Sequence, residues 1–125
     1  MIDPMSTPDS TDPLLALRDA LRRFAAEREW NQFHSPKNLA VALSVEAAEL
    51  LEHFQWLTDE QSAALPPETR AEVSEEVADV LLYLIRLGDR LDLDLIACAT
   101  EKLRRNAEKY PVEKARGNAR KYTQL

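Results

Sequence analysis

Four acidic residues have the type and spacing to do chemistry. Glu46 and Glu49 lie in AVALSVEAAELLEHF, and Glu76 and Asp79 in AEVSEEVADVLLYLIRL. Each pair is spaced i, i+3, which on an α-helix puts both side chains on one face about one turn apart. Two such helices packed side by side would gather four carboxylates, a site for a hard divalent cation. An all-oxygen set selects Mg²⁺, with Mn²⁺ as a substitute, over zinc. The Glu-x-x-His repeat of di-iron bundles is absent. Mg²⁺ keeps several waters and is usually held by carboxylates together with substrate phosphates, so the fitting substrate is a phosphoanhydride.

Acidic pairs at this spacing are common on solvated helix faces, and register is what separates these from surface charge. In the helix carrying the first pair, Leu39, Leu43, Ala47, Leu50 and Phe54 form the main apolar stripe, and Val41, Val45, Ala48 and Leu51 carry apolar surface round the back. Glu46 falls on the edge of that stripe, where an unpaired buried carboxylate is costly and a cation removes the cost. In the second helix Val73, Val77, Val80, Leu84, Leu87 and Leu91 make one stripe, while Leu81, Leu82 and Ile85 cover the other side. Glu72, Glu76, Asp79 and Tyr83 run along its flank. A helix apolar around more than half its circumference is buried against several neighbours, within a bundle or across a subunit interface.

The elements that must position these residues are legible from breakers and caps. Asp12 with Pro13 opens a first helix through LLALRDALRRFAAERE, with Leu14, Leu17, Leu21, Phe24 and Ala25 as its core stripe. Ser35 with Pro36 opens the second, expected to reach about Trp56. Thr58-Asp59-Glu60-Gln61 fits a capping box on a short helical turn. Pro66-Pro67 precedes the third helix, to about Leu87 or Arg90, and a fourth runs from about Leu93 to Tyr110, where Pro111 stops it. Residues 1–12 are expected to be a disordered tail, 13–110 a helical domain, and 111–125 a basic, extended tail folding over a site or a neighbouring subunit.

Composition narrows the class. With 125 residues, two glycines and a formal charge of −6, the chain suits one helical domain and disfavours a nucleic-acid polymer as partner. The single cysteine, Cys98, is expected in the core, and the absence of a long apolar run or a signal peptide points to a cytoplasmic protein with no membrane partner. The fold class is all-α, a four-helix bundle whose faces are too apolar for a lone small bundle, hence a homo-oligomer.

E-x-x-E followed by E-x-x-D on the next long helix resembles the signature of the MazG-like, all-α nucleoside triphosphate pyrophosphohydrolases. EREWNQFHSPKNL, FQW and RGNARKYTQL further resemble the dCTP pyrophosphatase branch, over nearly everything from about Leu17 to Leu125. The resemblance implies hydrolysis of dCTP or its 5-modified forms to the monophosphate and diphosphate, with Mg²⁺ on Glu46, Glu49, Glu76 and Asp79, in a dimer or tetramer that cleanses nucleotide pools. It also implies that Trp30 and Trp56 read the base, that Tyr83 packs on the deoxyribose, and that Asn106 contacts the nucleoside. Lys37, Lys109, Arg116 and Lys121 are candidates to meet the triphosphate. His53, four residues after Glu49, is a candidate to support that carboxylate, and His34 in the loop is ambiguous. The branch can carry a histidine in the first helix, where this sequence has Leu21, Arg22 and Arg23. The alternatives are a dUTPase or broad dNTP pyrophosphohydrolase and, from another class, a non-catalytic helical interaction module whose acid pairs form only salt bridges.

Overall fold

The computed structural model describes residues 11–125, so the tail expected over residues 1–12 lies almost wholly outside the described residues. The described chain is helical and contains no strand. Helix α1 (Pro13–Glu27) starts where Asp12 accepts hydrogen bonds from the amides of Leu14 and Leu15, and α2 (Pro36–Glu52) where Ser35 accepts from Asn38. Both placements follow the same chemistry: a side-chain oxygen satisfies an orphan amide, and a proline at the first helical position loses no bond. The turn α3 (Asp59–Ser62) carries the reciprocal Thr58–Gln61 capping box. Helix α4 (Pro67–Arg90) follows, then α5 (Leu95–Lys109), capped by Asp94.

Helix α2 ends at Glu52, one turn before the expected Trp56. The amides of Phe54 and Gln55 both bond back to Leu51 O, and Leu57 N–H to Phe54 O, so the chain tightens into turns instead of continuing. Trp56 therefore lies beyond the helix and is 87% exposed.

The described residues form two compact units, 11–92 and 93–125. In the first, α4 packs against both α2 and α1. Leu39 and Ile85, 1% and 2% exposed, are the largest wholly buried side chains. The α1 stripe behaves as expected, with Ala25 buried and Leu14, Leu17, Leu21 and Phe24 half-buried. In α4 the outcome differs: Ile85 and Gly88 are buried, whereas Val77, Leu84 and Leu91 of the expected stripe are exposed, together with Leu81. Helical periodicity locates apolar faces but not which of two apolar faces meets a neighbour within the same chain.

A bidentate ion pair ties α1 to α4. Arg22 Nε donates to Asp89 Oδ2 at 2.7 Å and Nη2 to Oδ1. Asp19 of α1 is buried and paired with Arg18 at 2.9 Å.

The second unit contains α5, a short helix α6 (Val112–Ala115) and a 3₁₀ turn (Tyr122–Gln124). The segment after Pro111 is thus partly helical, not extended throughout, because Pro111 O accepts from Lys114 and Ala115 and starts a new turn. Tyr122 meets Tyr110 edge-on and lies under Lys109 Nζ at 4.9 Å. Cys98 on α5 is free and exposed, which corrects its expected core position. Ile96 and Leu103 on the same helix are exposed as well.

Candidate active site

The α2–α4 contact brings Glu46, Glu49 and Glu76 together: each offers a carboxylate oxygen within 4.8 Å of the others. Packing of two helices whose acids share a flank produces this without any loop. Like charges at this separation favour the protonated form. The Glu46 carboxyl is pushed above its ordinary value of 4.5, chiefly by the hydrogen bond it shares with Glu76, and then by burial. Glu49 is pushed up by Glu46. Glu76 Oε2 is buried and has no hydrogen-bond partner. With all three groups ionised, that atom and its neighbours lack a counter-charge, and a divalent cation supplies one to all of them. The donor set is all oxygen, so the residues fit a hard cation such as Mg²⁺.

Asp79, the fourth acid, is not within the three-carboxylate cluster. It stands one turn along α4 from Glu76, close enough that its charge contributes to raising Glu46, and it lines an adjoining cavity of about 210 Å³. The walls of that cavity are mainly hydrocarbon and aromatic, from Leu21, Phe24 and Ala25 of α1, Trp30, and Leu82 and Tyr83 of α4. Phe24 and Trp30 meet edge-on with ring centroids 5.6 Å apart, and Trp30 meets His34 at 6.1 Å.

Of the residues expected to read a nucleoside, Trp30 and Tyr83 are thus brought together with Asp79. Trp56 does not line this cavity and is exposed, as are Leu57 and Leu51. Lys37 is exposed on the first turn of α2. Asn106, Lys109, Arg116 and Lys121 belong to the second unit, where Asn106 O accepts from Tyr110 and Lys109 lies over Tyr122. His53 Nδ1 stands 3.8 Å from Glu72 Oε2, so the carboxylate it meets is that of Glu72 and not that of Glu49.

Sequence reasoning missed Phe24 and Arg86 and left His34 open. Arg86, 5% exposed, also lines the cavity and donates from Nε to His34 Nδ1 at 3.1 Å and from Nη2 to Asn31 Oδ1. Arg90 Nε donates to the backbone oxygen of His34 at 3.1 Å. Burial, then Arg86 and Arg90, hold His34 below the ordinary histidine range. A buried arginine interrupting an otherwise apolar helix face was the available signal, but its partners are more than fifty residues away.

Helices that pair their acids across α2 and α4 beside an aromatic cavity define a helical, carboxylate-based class of protein. The MazG-like family model matches residues 41–125, and the chain belongs to the MazG-like family. The chain is 45% identical over 119 residues to dCTP pyrophosphatase 1 of Mus musculus, covering 93% of this chain and 70% of the mouse protein. It is 44% identical over 119 residues to dCTP pyrophosphatase 1 of Homo sapiens, with the same coverage. It is also similar to the crystal structure of a pyrophosphatase from Archaeoglobus fulgidus, with a TM-score of 0.72 and 44% identity over 76% of this chain and 89% of that one.

Proposed function

We propose that the chain is a Mg²⁺-dependent dCTP pyrophosphohydrolase that cleaves dCTP or a 5-modified dCTP with water to dCMP and diphosphate. The observation that carries this reading is the adjacency at Asp79 of a carboxylate cluster and a mainly apolar cavity. Charged phosphates and a flat, aromatic-stacking base demand opposite environments, and a nucleotide needs both within one molecule's length. At about 210 Å³ the cavity is smaller than a typical site for a whole drug-sized ligand, and suits the base and sugar, leaving the phosphates at the acids. The names of the mouse, rat, cattle and human relatives support dCTP as the substrate.

Glu46, Glu49 and Glu76 are the residues that would hold the metal, with Asp79 completing the set. A bound divalent cation neutralises triphosphate charge and makes a coordinated water more acidic. Glu46 or Glu49 is the carboxylate placed to take the proton from the attacking water. Trp30 and Phe24 offer the base an aromatic wall, and Tyr83, one turn beyond Asp79, packs on the deoxyribose.

The active form is a homo-oligomer. Val41, Val45 and Leu51 on α2 and Val77, Leu81 and Leu84 on α4 are exposed in the single chain, and burying them needs a second copy. Incubation with dCTP and Mg²⁺ followed by product analysis tests the reading: diphosphate and dCMP are expected. Release of orthophosphate and dCDP, or no hydrolysis across dCTP, 5-methyl-dCTP, dUTP, dTTP and CTP, contradicts it.

A further inference from the structure

His34 is the one histidine on the cavity wall, and its ring is not free to choose its proton arrangement. Guanidinium groups donate and never accept, so the Arg86 Nε–H···Nδ1 contact at 3.1 Å requires an unprotonated Nδ1. The neutral ring then carries its proton on Nε2. Arg86 has little freedom to release this contact. Its Nη2 is on Asn31 Oδ1, its Nη1 stands 3.7 Å from Asp89 Oδ2, and Asp89 is itself clamped by Arg22. Arg90 fixes the histidine's backbone at the same time. A protonated His34 would face two guanidinium groups. The ring therefore offers a ligand one polar atom of one kind, the Nε2–H donor, in a cavity whose other walls are mostly hydrocarbon.

We propose that Arg86 is a positioning residue that locks His34 in the Nε2–H tautomer, and that His34 reads the nucleobase through that donor. The inference rests on the nucleotide reading of the cavity given above. Cytosine presents an unprotonated N3 and the O2 carbonyl, both acceptors; uracil and thymine carry a proton on N3. A fixed donor set against N3 accepts cytosine and meets uracil or thymine donor to donor. A desolvated polar group left unpaired in this way is a stronger basis for rejection than a difference in shape. The pair thus acts as a specificity device for the base, with Arg86 acting through the histidine it positions.

Two measurements on the full chain test this. Long-range ¹H–¹⁵N correlation of the histidine rings, with His34 assigned by the signal lost in His34→Gln, is expected to show Nδ1 unprotonated and Nε2 protonated. Arg86→Met is expected to convert that to a tautomer mixture. In parallel, the ratio of kcat/KM for dCTP to that for dUTP is measured for the wild type, His34→Gln and Arg86→Met. A glutamine amide can turn either its donor or its acceptor to the base, so His34→Gln should lower the ratio by about tenfold or more. Arg86→Met should lower it too, since a ring freed from the Arg86 contact can turn an acceptor to the base, whereas a mere loss of folded protein scales both substrates equally and leaves the ratio unchanged. If Arg86→Met does not fold, the wild-type tautomer and the His34→Gln ratio decide. An Nδ1–H tautomer in the wild type, or an unchanged ratio in His34→Gln, overturns the proposal. Hydrolysis of dCTP with an unchanged ratio rejects the His34 role alone. Absence of hydrolysis with every nucleotide rejects the nucleotide reading and the base-reading role with it, while the ring spectrum still reports the lock.

Discussion

Asp89 receives both nitrogens of one edge of Arg22, from a helix that begins more than seventy residues earlier, and it lies 3.7 Å from buried Arg86. The hydrogen bonds from Arg22 hold its carboxyl below the ordinary value of 3.8, against the opposing effect of burial. Its folded pKa is below its unfolded one, so the stabilisation is complete above the unfolded value and is lost as pH falls through the folded one. Asp89→Asn is expected to cost about 2 kcal/mol at neutral pH, the range for a charge-assisted hydrogen bond with a buried partner. Denaturant titrations at several pH values should show the difference between wild type and variant shrinking below about pH 4. A constant difference down to the acid limit contradicts the assignment.

The carboxylate cluster predicts a metal-dependent stability. Glu46, Glu49 and Glu76 repel one another when ionised, so adding Mg²⁺ at neutral pH should raise Tm and the rise should follow ligand-binding linkage. Glu49→Gln should weaken the Mg²⁺-induced rise while raising the Tm of the metal-free protein, since it removes one of the repelling charges. Equal Mg²⁺ responses in the two proteins would place the ion elsewhere.

Trp30 and Tyr83 should report on different parts of the substrate. Trp30→Ala removes an aromatic wall of the cavity, and stacking of this kind is worth about 1–3 kcal/mol per base, so KM for dCTP is expected to rise about tenfold or more. Tyr83→Ala should lower the preference for dCTP over CTP by opening room for a 2′-hydroxyl. Steady-state kinetics with both nucleotides check each claim, and an unchanged dCTP/CTP ratio removes Tyr83 from sugar recognition.

The open apolar faces of α2 and α4 predict association. Val45→Glu together with Leu81→Glu puts charge on surface that is exposed in the single chain, so the helices should persist while the assembly dissociates. Light scattering coupled to size exclusion gives the mass. A wild-type chain that elutes as a monomer at micromolar concentration contradicts the oligomer.

Local chemistry made the helix starts legible: Asp12, Ser35 and Thr58 each cap where their side-chain oxygens can reach an orphan amide. The i, i+3 spacing likewise anticipated that Glu46, Glu49 and Glu76 would share a flank. Asp79 escaped that logic in part, because a shared helix face does not fix distance to a neighbouring helix, and it stands at the cavity instead. His34 and Arg86 stayed ambiguous for a related reason. Their meaning lies in a contact spanning 52 positions, and the one local signal, an arginine on an otherwise apolar helix face, does not name its partner. Cys98 shows the opposite failure, an apolar residue on an amphipathic helix that is nonetheless exposed.

The central claim is that the carboxylates on α2 and α4 support metal-dependent hydrolysis of a nucleoside triphosphate, and Glu49→Gln and Asp79→Asn test it most directly. Diphosphate release from dCTP with Mg²⁺ should fall by about a thousandfold or more in each variant, equivalent to about 4 kcal/mol of lost transition-state stabilisation. Far-ultraviolet circular dichroism should show unchanged helix content. Full activity in either correctly folded variant contradicts the account.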